Sequence, residues 1–266
     1  MSFQKPKKRF SQNFLIDENI AGAIVELLEV CSDESIFEIG TGRGILTRLL
    51  AASGADIYSF EIDRTLIEEL TRNFRGFDRV KIINQDFLKV NPDDYCPGNL
   101  KLIGNIPYDI TSPVLEWMIS NRRKINRAVI TAQEELADRI SSQPGSKNWA
   151  PLSIFCQCHF NVKKVMKIGP KSFYPPPKVT SATLLFEPRK GYAIEDWNHF
   201  EKIVRRSFTQ RRKLLTNNLS EPAGLSRTDM EMVLSRLGLP PTVRAEQMSI
   251  EDFLRLDREL KNANLS

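Results

Sequence analysis

Short apolar stretches alternate with helical patterns over the first half of the chain. Five runs rich in β-branched and aromatic residues are each long enough for a strand: SIFEIG (35–40), DIYSFEID (56–63), VKIINQD (80–86), LKLIGN (100–105) and RAVITAQ (127–133). Residues 45–54 and 64–74, between the first three runs, repeat apolar positions with a helical period. Near-continuous apolar strands that alternate with helices are typical of a parallel sheet covered on both faces. The pattern therefore predicts an α/β fold.

Two later apolar runs follow each other without a helix between them. We expect residues 156–168 and 181–188 to form an antiparallel pair of strands at the edge of the sheet. The strand pattern stops after Pro188, and the remaining residues repeat apolar positions with a helical period. A chain of 266 residues is long enough for one large and one small domain. We therefore predict domains at 1–190 and 191–266.

The composition is that of an ordinary globular protein, with 41% hydrophobic and 27% charged residues. No apolar run approaches the roughly 20 residues of a membrane-spanning helix, and no apolar signal core follows the basic N-terminus. The four cysteines form no C-x-x-C pair and only two histidines are present, which disfavours a metal site and favours reduced thiols. We expect a cytoplasmic monomer with no membrane partner. The net charge of +5 favours a polyanionic partner.

Three of the predicted strands end in residues that suit a nucleoside. The first is followed by G-x-G-x-G at 40–44, a spacing that differs from the G-x-G-x-x-G of nicotinamide dehydrogenases. Glu61 ends the second strand, where a carboxylate accepts hydrogen bonds from a ribose diol. Asp86 ends the third and can accept from an adenine amine, with Phe87 beside the ring. Because ligands of open α/β sheets bind at the carboxyl ends of the strands, these residues together predict a binding crevice.

The fourth strand ends in the segment GNIPYD (104–109). Asn and Pro are common turn residues, so a plain turn is the simplest interpretation. However, Ser112 and Pro113 already provide an N-cap and a first turn for the helix that follows. Asn105 is therefore not needed as a cap, and its position at the crevice favours a functional role.

An amine-positioning role accounts for each residue of this segment. The Asn105 side-chain oxygen and the Ile106 backbone carbonyl are two acceptors that Pro107 holds in place, and two acceptors suit an –NH₂ group. Tyr108 offers a flat face to the ring that carries the amine. Since the lone pair of an adenine amine is delocalised, accepting both hydrogens favours a pyramidal nitrogen that can attack an electrophilic methyl group. The segment thus predicts catalysis by positioning and electrostatics, without a strong base or a metal.

The chain carries, in order, the motifs of one known family: KRFSQNFL (8–15), EIGTGRG (38–44), GNIPY (104–108), FYPPPKVTS (173–181), QRRKLLTNNL (210–219) and RAEQMSIEDFLRL (244–256). These resemble class I S-adenosylmethionine-dependent methyltransferases of the rRNA adenine dimethyltransferase family. The last two resemble the KsgA-type members, which act on bacterial small-subunit (16S) rRNA. The resemblance covers nearly the whole chain.

The resemblance implies a Rossmann-like class I methyltransferase sheet, mostly parallel with an antiparallel edge pair, and a small C-terminal helical domain that binds RNA. It implies S-adenosyl-L-methionine as the cofactor, bound by the first domain. The implied reaction is dimethylation of two adjacent adenines in the hairpin loop near the 3′ end of 16S rRNA, within the immature small ribosomal subunit. Two positions differ from the common pattern. Ile106 replaces Leu, which leaves its backbone carbonyl in place, and we expect Asp109, which replaces Asn, to alter substrate orientation slightly.

The candidate site residues fall into three groups. The catalytic candidates are Asn105, Ile106, Pro107, Tyr108 and Phe173. The cofactor-binding candidates are Asn13, Leu15, Gly40, Gly42, Glu61, Asp86, Phe87 and Asn105. The RNA-binding candidates are Lys7, Lys8, Arg9, Lys202, Arg205, Arg206, Arg212 and Lys213.

Some of these assignments compete with structural ones. Phe173 is a candidate second stacking face, opposite Tyr108, for a base held out of its RNA stack, or else a core aromatic. Residues 200–215, plotted as one helix, separate an apolar face from a basic face that suits phosphates or merely faces solvent. Arg211 falls on the apolar side, where it marks a helix end near Gln210 or pairs across the domain junction.

Two other functions remain open from the residues alone. A methyltransferase for a small amine or a protein amide would use the same fold, but the basic second domain argues against it. A non-catalytic RNA-binding assembly factor is the alternative from another class. The intact Asn-x-Pro-Tyr segment argues against a loss of catalysis. An added assembly role is compatible with both domains.

Overall fold

The computed structural model describes residues 12–220 and 225–262. The strands there are β1 (Phe14–Leu15), β2 (Ser35–Ile39), β3 (Asp56–Glu61), β4 (Val80–Asn84), β5 (Leu100–Asn105), β6 (Ile125–Gln133), β7 (Phe160–Ile168), β8 (Phe173–Tyr174) and β9 (Ser181–Pro188). The α-helices there are α1 (Glu18–Glu26), α2 (Ile45–Leu50), α3 (Arg64–Asn73), α4 (Thr111–Ser120), α5 (Glu134–Ile140), α6 (Pro151–His159), α7 (Trp197–Ser207), α8 (Leu215–Leu219), α9 (Arg227–Arg236) and α10 (Ile250–Asn262). The RNA-binding candidates Lys7, Lys8 and Arg9 lie outside the described residues. Within the described ranges, no helix is long and apolar enough to span a membrane.

A seven-stranded sheet organises the first part of the fold, in the order β4-β3-β2-β5-β6-β9-β7. The pairs from β4 to β6 are parallel, whereas β9 pairs antiparallel with both β6 and β7. The predicted mostly parallel α/β sheet with an antiparallel pair at one edge is therefore confirmed. Every residue of β2 and β3 after the first is buried, as expected for strands covered on both faces.

The strand order reverses beside β2, which places a crevice at the ends of β2 and β5. The chain continues from β2 to β3 and β4 on one side, while β5 and β6 lie on the other. Gly104 makes this junction tight: a Cβ there would lie 3.0 Å from both the Cβ and the carbonyl oxygen of Ile39. Since ligands of open α/β sheets bind where the strand order reverses, the topology directs attention to the residues that follow Ile39 and Gly104.

Two local predictions were wrong. The run 156–168 is a strand only from Phe160, because residues before it belong to α6, a helix that opens at Pro151. Six consecutive residues of α6 are buried, so the helix has no exposed face whose period would distinguish it from a strand. Ser112 is not a cap, since α4 begins at Thr111 and is preceded by a 3-10 helix, Tyr108–Ile110.

The described residues form two compact units, which differ from the predicted domains in one segment. The first unit comprises the described part of Met1–Ala137 together with Phe160–Arg189. The second comprises Asp138–His159 and the described part of the chain from Lys190 onward. The sequence-based boundary near residue 190 thus coincides with one division between the units. Residues 138–159, which the sequence pattern assigned to the first domain, belong to the second unit.

The second unit is built around buried aromatic side chains. Trp149 is fully buried, and its Nε1 donates a hydrogen bond of 3.0 Å to the backbone carbonyl of Met248. Phe208 and Phe253 stack with their ring centroids 6.0 Å apart. Arg211 donates to the backbone carbonyls of Lys147 and of Trp149, so this arginine pairs within the second unit and not across a domain junction.

The helix predicted over 200–215 ends early, at Ser207. The Asn218 side chain, on α8, donates to the carbonyl oxygens of Ser207 and Gln210, at 2.6 and 3.3 Å. The bond to Ser207 satisfies a carbonyl group that the helix end leaves without an intrahelical partner. Of the residues predicted for the apolar face, Phe200, Ile203, Val204, Phe208 and Leu215 are buried, whereas Leu214 is half-buried; Phe208, Leu214 and Leu215 lie beyond the end of α7.

Gly44, at the start of α2, provides a test of how tightly the glycine turn packs. Its φ is +78°, and a Cβ there would lie 2.8 Å from the Phe74 ring. Gly76 has φ +94° with nothing within 4 Å of the corresponding Cβ, so it carries the backbone strain alone. We expect Gly76→Ala to lower the free energy of unfolding by about 1 kcal/mol. Gly44→Ala should cost about 2–4 kcal/mol because overpacking adds to the strain.

Thermal and urea unfolding of both variants measure the difference. An equal decrease in the free energy of unfolding for Gly44→Ala and Gly76→Ala would show that the Phe74 ring moves aside without a free-energy cost.

Candidate active site

A cavity of about 270 Å³ lies at the carboxyl ends of β2, β3 and β5. All eight cofactor-binding candidates and four of the five catalytic candidates line it. The lining candidates are Asn13, Leu15, Gly40, Gly42, Glu61, Asp86, Phe87, Asn105, Ile106, Pro107 and Tyr108. The fold thus brings together residues that are far apart in the sequence, which is the condition for the predicted site.

The glycine turn after β2 requires residues without a side chain. Gly40 and Gly42 have φ of +71° and +56°, in the left-handed region that glycine adopts at little cost. The N–H of Gly40 donates to the carbonyl of Phe60, at 2.9 Å, which holds the turn against β3. A Cβ at Gly42 would lie 3.0 Å from the Phe14 ring. The turn is therefore a close-fitting cradle between β3 and the segment that carries β1.

Glu61, at the end of β3, is held by two backbone groups. Its Oε2 accepts from the N–H of Gly42 at 2.9 Å, and its Oε1 accepts from the N–H of Asp63 at 2.8 Å. Burial raises the pKa of Glu61, whereas these two hydrogen bonds lower it. Each carboxylate oxygen has two lone pairs, so acceptor capacity remains for a ligand in the cavity.

Glu38 is a cavity residue that the sequence analysis missed. It is 1% exposed, and its Oε2 accepts from the hydroxyls of Thr47 and Ser59, both at 2.6 Å. Its Oε1 is buried and has no hydrogen-bond partner. Burial is the largest of the effects that raise the pKa of Glu38 to about 7. The signal in the sequence was an acidic residue inside the apolar run SIFEIG, which would not be buried there without a function or a partner.

Asp86 and Phe87 follow β4. The Asp86 side chain accepts from the N–H of Leu88 at 3.1 Å and begins a 3-10 helix, Phe87–Lys89. Phe87 is buried, with its ring centroid 5.6 Å from that of Phe60 and 4.5 Å from that of Trp117. The ring therefore contributes to the core as well as to the cavity wall, and its position is fixed before a ligand binds.

Asn105 is oriented by a backbone group of the N-terminal segment. Its Nδ2 donates to the carbonyl oxygen of Asn13 at 3.1 Å, and a carbonyl can only accept, so the side-chain oxygen is the free end of the amide. The N–H of Ile106 donates to the carbonyl of Thr131 at 3.3 Å. Among the described residues, neither the Asn105 Oδ1 nor the Ile106 carbonyl accepts a hydrogen bond. The two predicted acceptors are thus adjacent along the chain and available.

Tyr108 and Phe173 differ in their relation to the cavity. The Tyr108 hydroxyl is 2.7 Å from the Ser181 hydroxyl, and burial raises the pKa of the phenol. Phe173 is 3% exposed, packs in the core with Leu15 and Ile103, and does not appear among the described residues that line the cavity. A stacking role for Phe173 would require its ring to be uncovered, and it remains a prediction.

The basic candidates of the second unit are not on one helix face. Lys202, Arg205 and Arg206 lie on α7, whereas Arg212 and Lys213 follow its end. Arg205 pairs with Glu201 at 2.7 Å and lies 5.1 Å from the Phe155 ring centroid. Lys202, Arg212 and Lys213 are exposed, which makes them the more available cations for a polyanion.

Solved structures share this architecture. A dimethyladenosine transferase from Plasmodium falciparum matches with a TM-score of 0.83 at 24% identity, over 95% of this chain and 98% of that chain. The 23S rRNA methyltransferase ErmE matches with a TM-score of 0.74 at 28% identity, over 94% of this chain and 100% of that chain. The sheet and its glycine turn define the fold of a class I methyltransferase.

The family follows from the sequence comparisons. The family model described as ribosomal RNA adenine dimethylase matches residues 3–262. A protein of Francisella tularensis subsp. novicida (strain U112), named ribosomal RNA small subunit methyltransferase A, is 40% identical over 256 residues, 95% of this chain and 96% of that protein. The chain belongs to the ribosomal RNA adenine dimethylase family. The family and enzyme class predicted from the motifs are therefore confirmed.

The buried Glu38 predicts a pH dependence of stability. Its pKa is about 7 in the folded protein, against an ordinary value of 4.5, so between these values the folded state binds a proton that the unfolded state does not. The resulting contribution of Glu38 to the free energy of unfolding is fully present below pH 4.5 and is lost as the pH rises through 7. The total loss is up to about 3 kcal/mol.

Glu38→Gln should remove this contribution, while Glu61, whose pKa is also raised, remains in both proteins. Thermal unfolding midpoints from pH 4.5 to 8 measure the effect. Parallel profiles for the wild type and Glu38→Gln would show that Glu38 does not titrate in this range.

Proposed function

We propose that this protein transfers methyl groups from S-adenosyl-L-methionine to the 6-amino groups of two adjacent adenines in the 3′-terminal hairpin loop of 16S rRNA. The main observation in support is a pair of available hydrogen-bond acceptors, the Asn105 Oδ1 and the Ile106 carbonyl. They lie beside a cavity whose lining residues suit a nucleoside. The small-subunit enzyme of Francisella tularensis, 40% identical over nearly the full length, supports the choice of rRNA. The products are dimethyladenosines, formed in small-subunit biogenesis.

The residues of the cavity fit S-adenosyl-L-methionine. The unpartnered Glu38 Oε1 suits the ammonium group of its methionine part, because a buried carboxylate favours a cationic partner. Glu61 has lone pairs left for the ribose hydroxyls, and Asp86 lies beside Phe87 to bind the adenine amine. When bound, the cofactor supplies an electrophilic methyl group.

The chain's own residues position the adenine that receives the methyl group. The Asn105 Oδ1 and the Ile106 carbonyl accept the two amine hydrogens, which favours a pyramidal nitrogen with its lone pair out of the ring plane. The Nδ2 bond to Asn13 keeps the amide from turning over, so the oxygen stays the acceptor. The Tyr108 ring faces the base, and burial raises the pKa of its phenol, so the side chain presents a neutral ring.

The substrate is proposed to be the immature small ribosomal subunit in the cytoplasm, with the enzyme acting as a monomer. Exposed cations of the second unit, among them Lys202, Arg212 and Lys213, contact phosphates. Incubation with labelled S-adenosylmethionine and small-subunit particles that lack the methyl groups tests the proposal. We expect label at two adjacent adenines of the 3′ hairpin, and label in large-subunit RNA instead would overturn it.

Asn105→Ala should lower kcat by about 10²–10³, because it removes a preorganised acceptor of the amine. Affinity for the RNA should stay close to that of the wild type, since the amide does not contact phosphates. Asn161→Ala, on the exposed side of the edge strand β7, is the matched control and should leave kcat unchanged. Turnover by Asn105→Ala at the wild-type rate would show that this segment is only a turn, without a catalytic role.

Neutralising the exposed cations should flatten the salt dependence of RNA binding. We expect Lys202, Arg212 and Lys213→Gln together to reduce the log–log slope by about 0.9 for each phosphate that the variant no longer binds. The control is a triple variant of equal charge at Arg227, Arg236 and Arg258, which also lie in the second unit. Binding isotherms at several salt concentrations compare the two. If both variants shift the slope equally, net charge and not a specific surface is responsible.

A further inference from the structure

A stack of two rings and a guanidinium lies at the edge of the cavity. The Arg43 guanidinium carbon is 4.9 Å from the Phe14 ring centroid and 5.2 Å from the Tyr174 ring centroid. Phe14 and Tyr174 face each other across the two-stranded antiparallel sheet of β1 and β8. Since residues directly opposite in such a pair project from the same face, one arginine contacts both rings.

The stack extends outward from the cavity wall. Phe14 and Arg43 both line the cavity, whereas Tyr174 does not. Tyr174 contacts Arg43 and pairs with Phe14, so it lies next to the lining on the outer side. An RNA strand that delivers a base to Asn105 must cross the surface around this opening.

Tyr174 is more exposed than a packing role requires. Side chains alternate along β8: Phe173 is 3% exposed, whereas Tyr174 is 48% exposed. Its inner neighbour Phe14 is buried at 7%. Among the described residues, the Tyr174 hydroxyl has no hydrogen-bond partner. A large aromatic face is therefore left to water beside the cavity, held in place by the strand pairing and by Arg43.

The chemistry of this pair matches an unpaired nucleotide. Aromatic side chains stack on nucleobases in a sequence-tolerant way, because every base has a π face. An arginine beside the ring adds a cation that binds phosphate through several donors. A base that is taken out of its stack to be modified leaves its neighbours without a stacking partner, and the protein gains affinity by supplying one. Two exposed lysines, Lys171 and Lys178, lie on the same segment as Tyr174 and add positive charge.

We propose that Tyr174 and Arg43 form a binding subsite for the nucleotide adjacent to the target adenine. Tyr174 stacks on the unpaired base and Arg43 contacts its phosphate. The subsite rests on the proposed function, because it takes the same RNA strand that delivers the adenine to Asn105. It holds the neighbouring nucleotide and does not touch the reacting amine.

A purely structural role for the same stack predicts different experimental results. If the rings and Arg43 only fasten β1, their removal would loosen Asn13 and Leu15, which line the cavity. Affinity for S-adenosylmethionine and the thermal midpoint would then fall, and affinity for RNA would follow only indirectly. If the stack is a subsite, removal of the Tyr174 ring, which does not line the cavity, raises the KM for RNA while the other two quantities stay close to those of the wild type.

The test uses the full chain and small-subunit particles that lack the methyl groups. We expect Tyr174→Ala to raise the KM for particles roughly 5- to 100-fold, the usual range when one stacking side chain is removed. Tyr174→Phe keeps the π face and should stay within about twofold of the wild type. Arg43→Gln should reduce the salt slope of particle binding by roughly 0.7–0.9, while Arg43→Lys should retain most of it.

Calorimetry with S-adenosylmethionine and thermal unfolding of each variant complete the experiment. The subsite is overturned if Tyr174→Ala keeps the wild-type KM. The subsite is also overturned if the KM of Tyr174→Ala rises only in proportion to weakened cofactor binding or to a lower thermal midpoint. Failure of the proposed function is distinct from both results, because in that case the wild-type enzyme itself would not methylate the particles.

Discussion

The paired hydrogen bonds of Glu61 are the constraint on which the cavity depends. One carboxylate accepts from the backbone N–H groups of Gly42, after β2, and of Asp63, after β3. Asp63 in turn caps α3 and accepts from the Gln12 side chain at 3.2 Å, so Glu61 and Asp63 together connect two strand ends, a helix start and the N-terminal segment. An unpaired backbone N–H in such a crevice costs about 1–3 kcal/mol. The glycine turn and the carboxylate therefore hold each other in place before any ligand arrives.

The site also buries two carboxylates, and this burial lowers the stability of the folded state. Glu38 and Glu61 are both nearly inaccessible, and their mutual repulsion adds to the effect of burial on the pKa of Glu38. The hydroxyls of Thr47 and Ser59 satisfy one oxygen of Glu38 and leave the other without a partner. Perturbed acids of this kind collect at functional sites, because a ligand supplies the contacts that the fold leaves out. A cationic ligand would offset the free-energy cost of burying these two carboxylates.

The sequence predicted features that depend on local pattern and failed where distant residues decide. Buried parallel strands appear as apolar runs, and the residues after them must lie at one edge, so Gly40, Glu61 and Asn105 could be grouped from the sequence. At the end of α7, Asn218 of the next helix donates a hydrogen bond to the Ser207 carbonyl, and no periodicity of the sequence indicates such a contact. The neighbourhood of Arg43 and Tyr174 likewise requires the pairing of β1 with β8, two strands of two residues each.

The contact that orients Asn105 has a consequence for how the site tolerates sequence change. Its acceptor is the backbone carbonyl of residue 13, a group that every amino acid possesses. Replacing the Asn13 side chain would leave this orienting bond available. An insertion or deletion between Gln12 and Leu15 would instead shift which carbonyl reaches the amide, because the β1–β8 register fixes the segment only from Phe14 onward. The orientation of the Asn105 amide therefore depends on the number of residues in this segment more than on their identity.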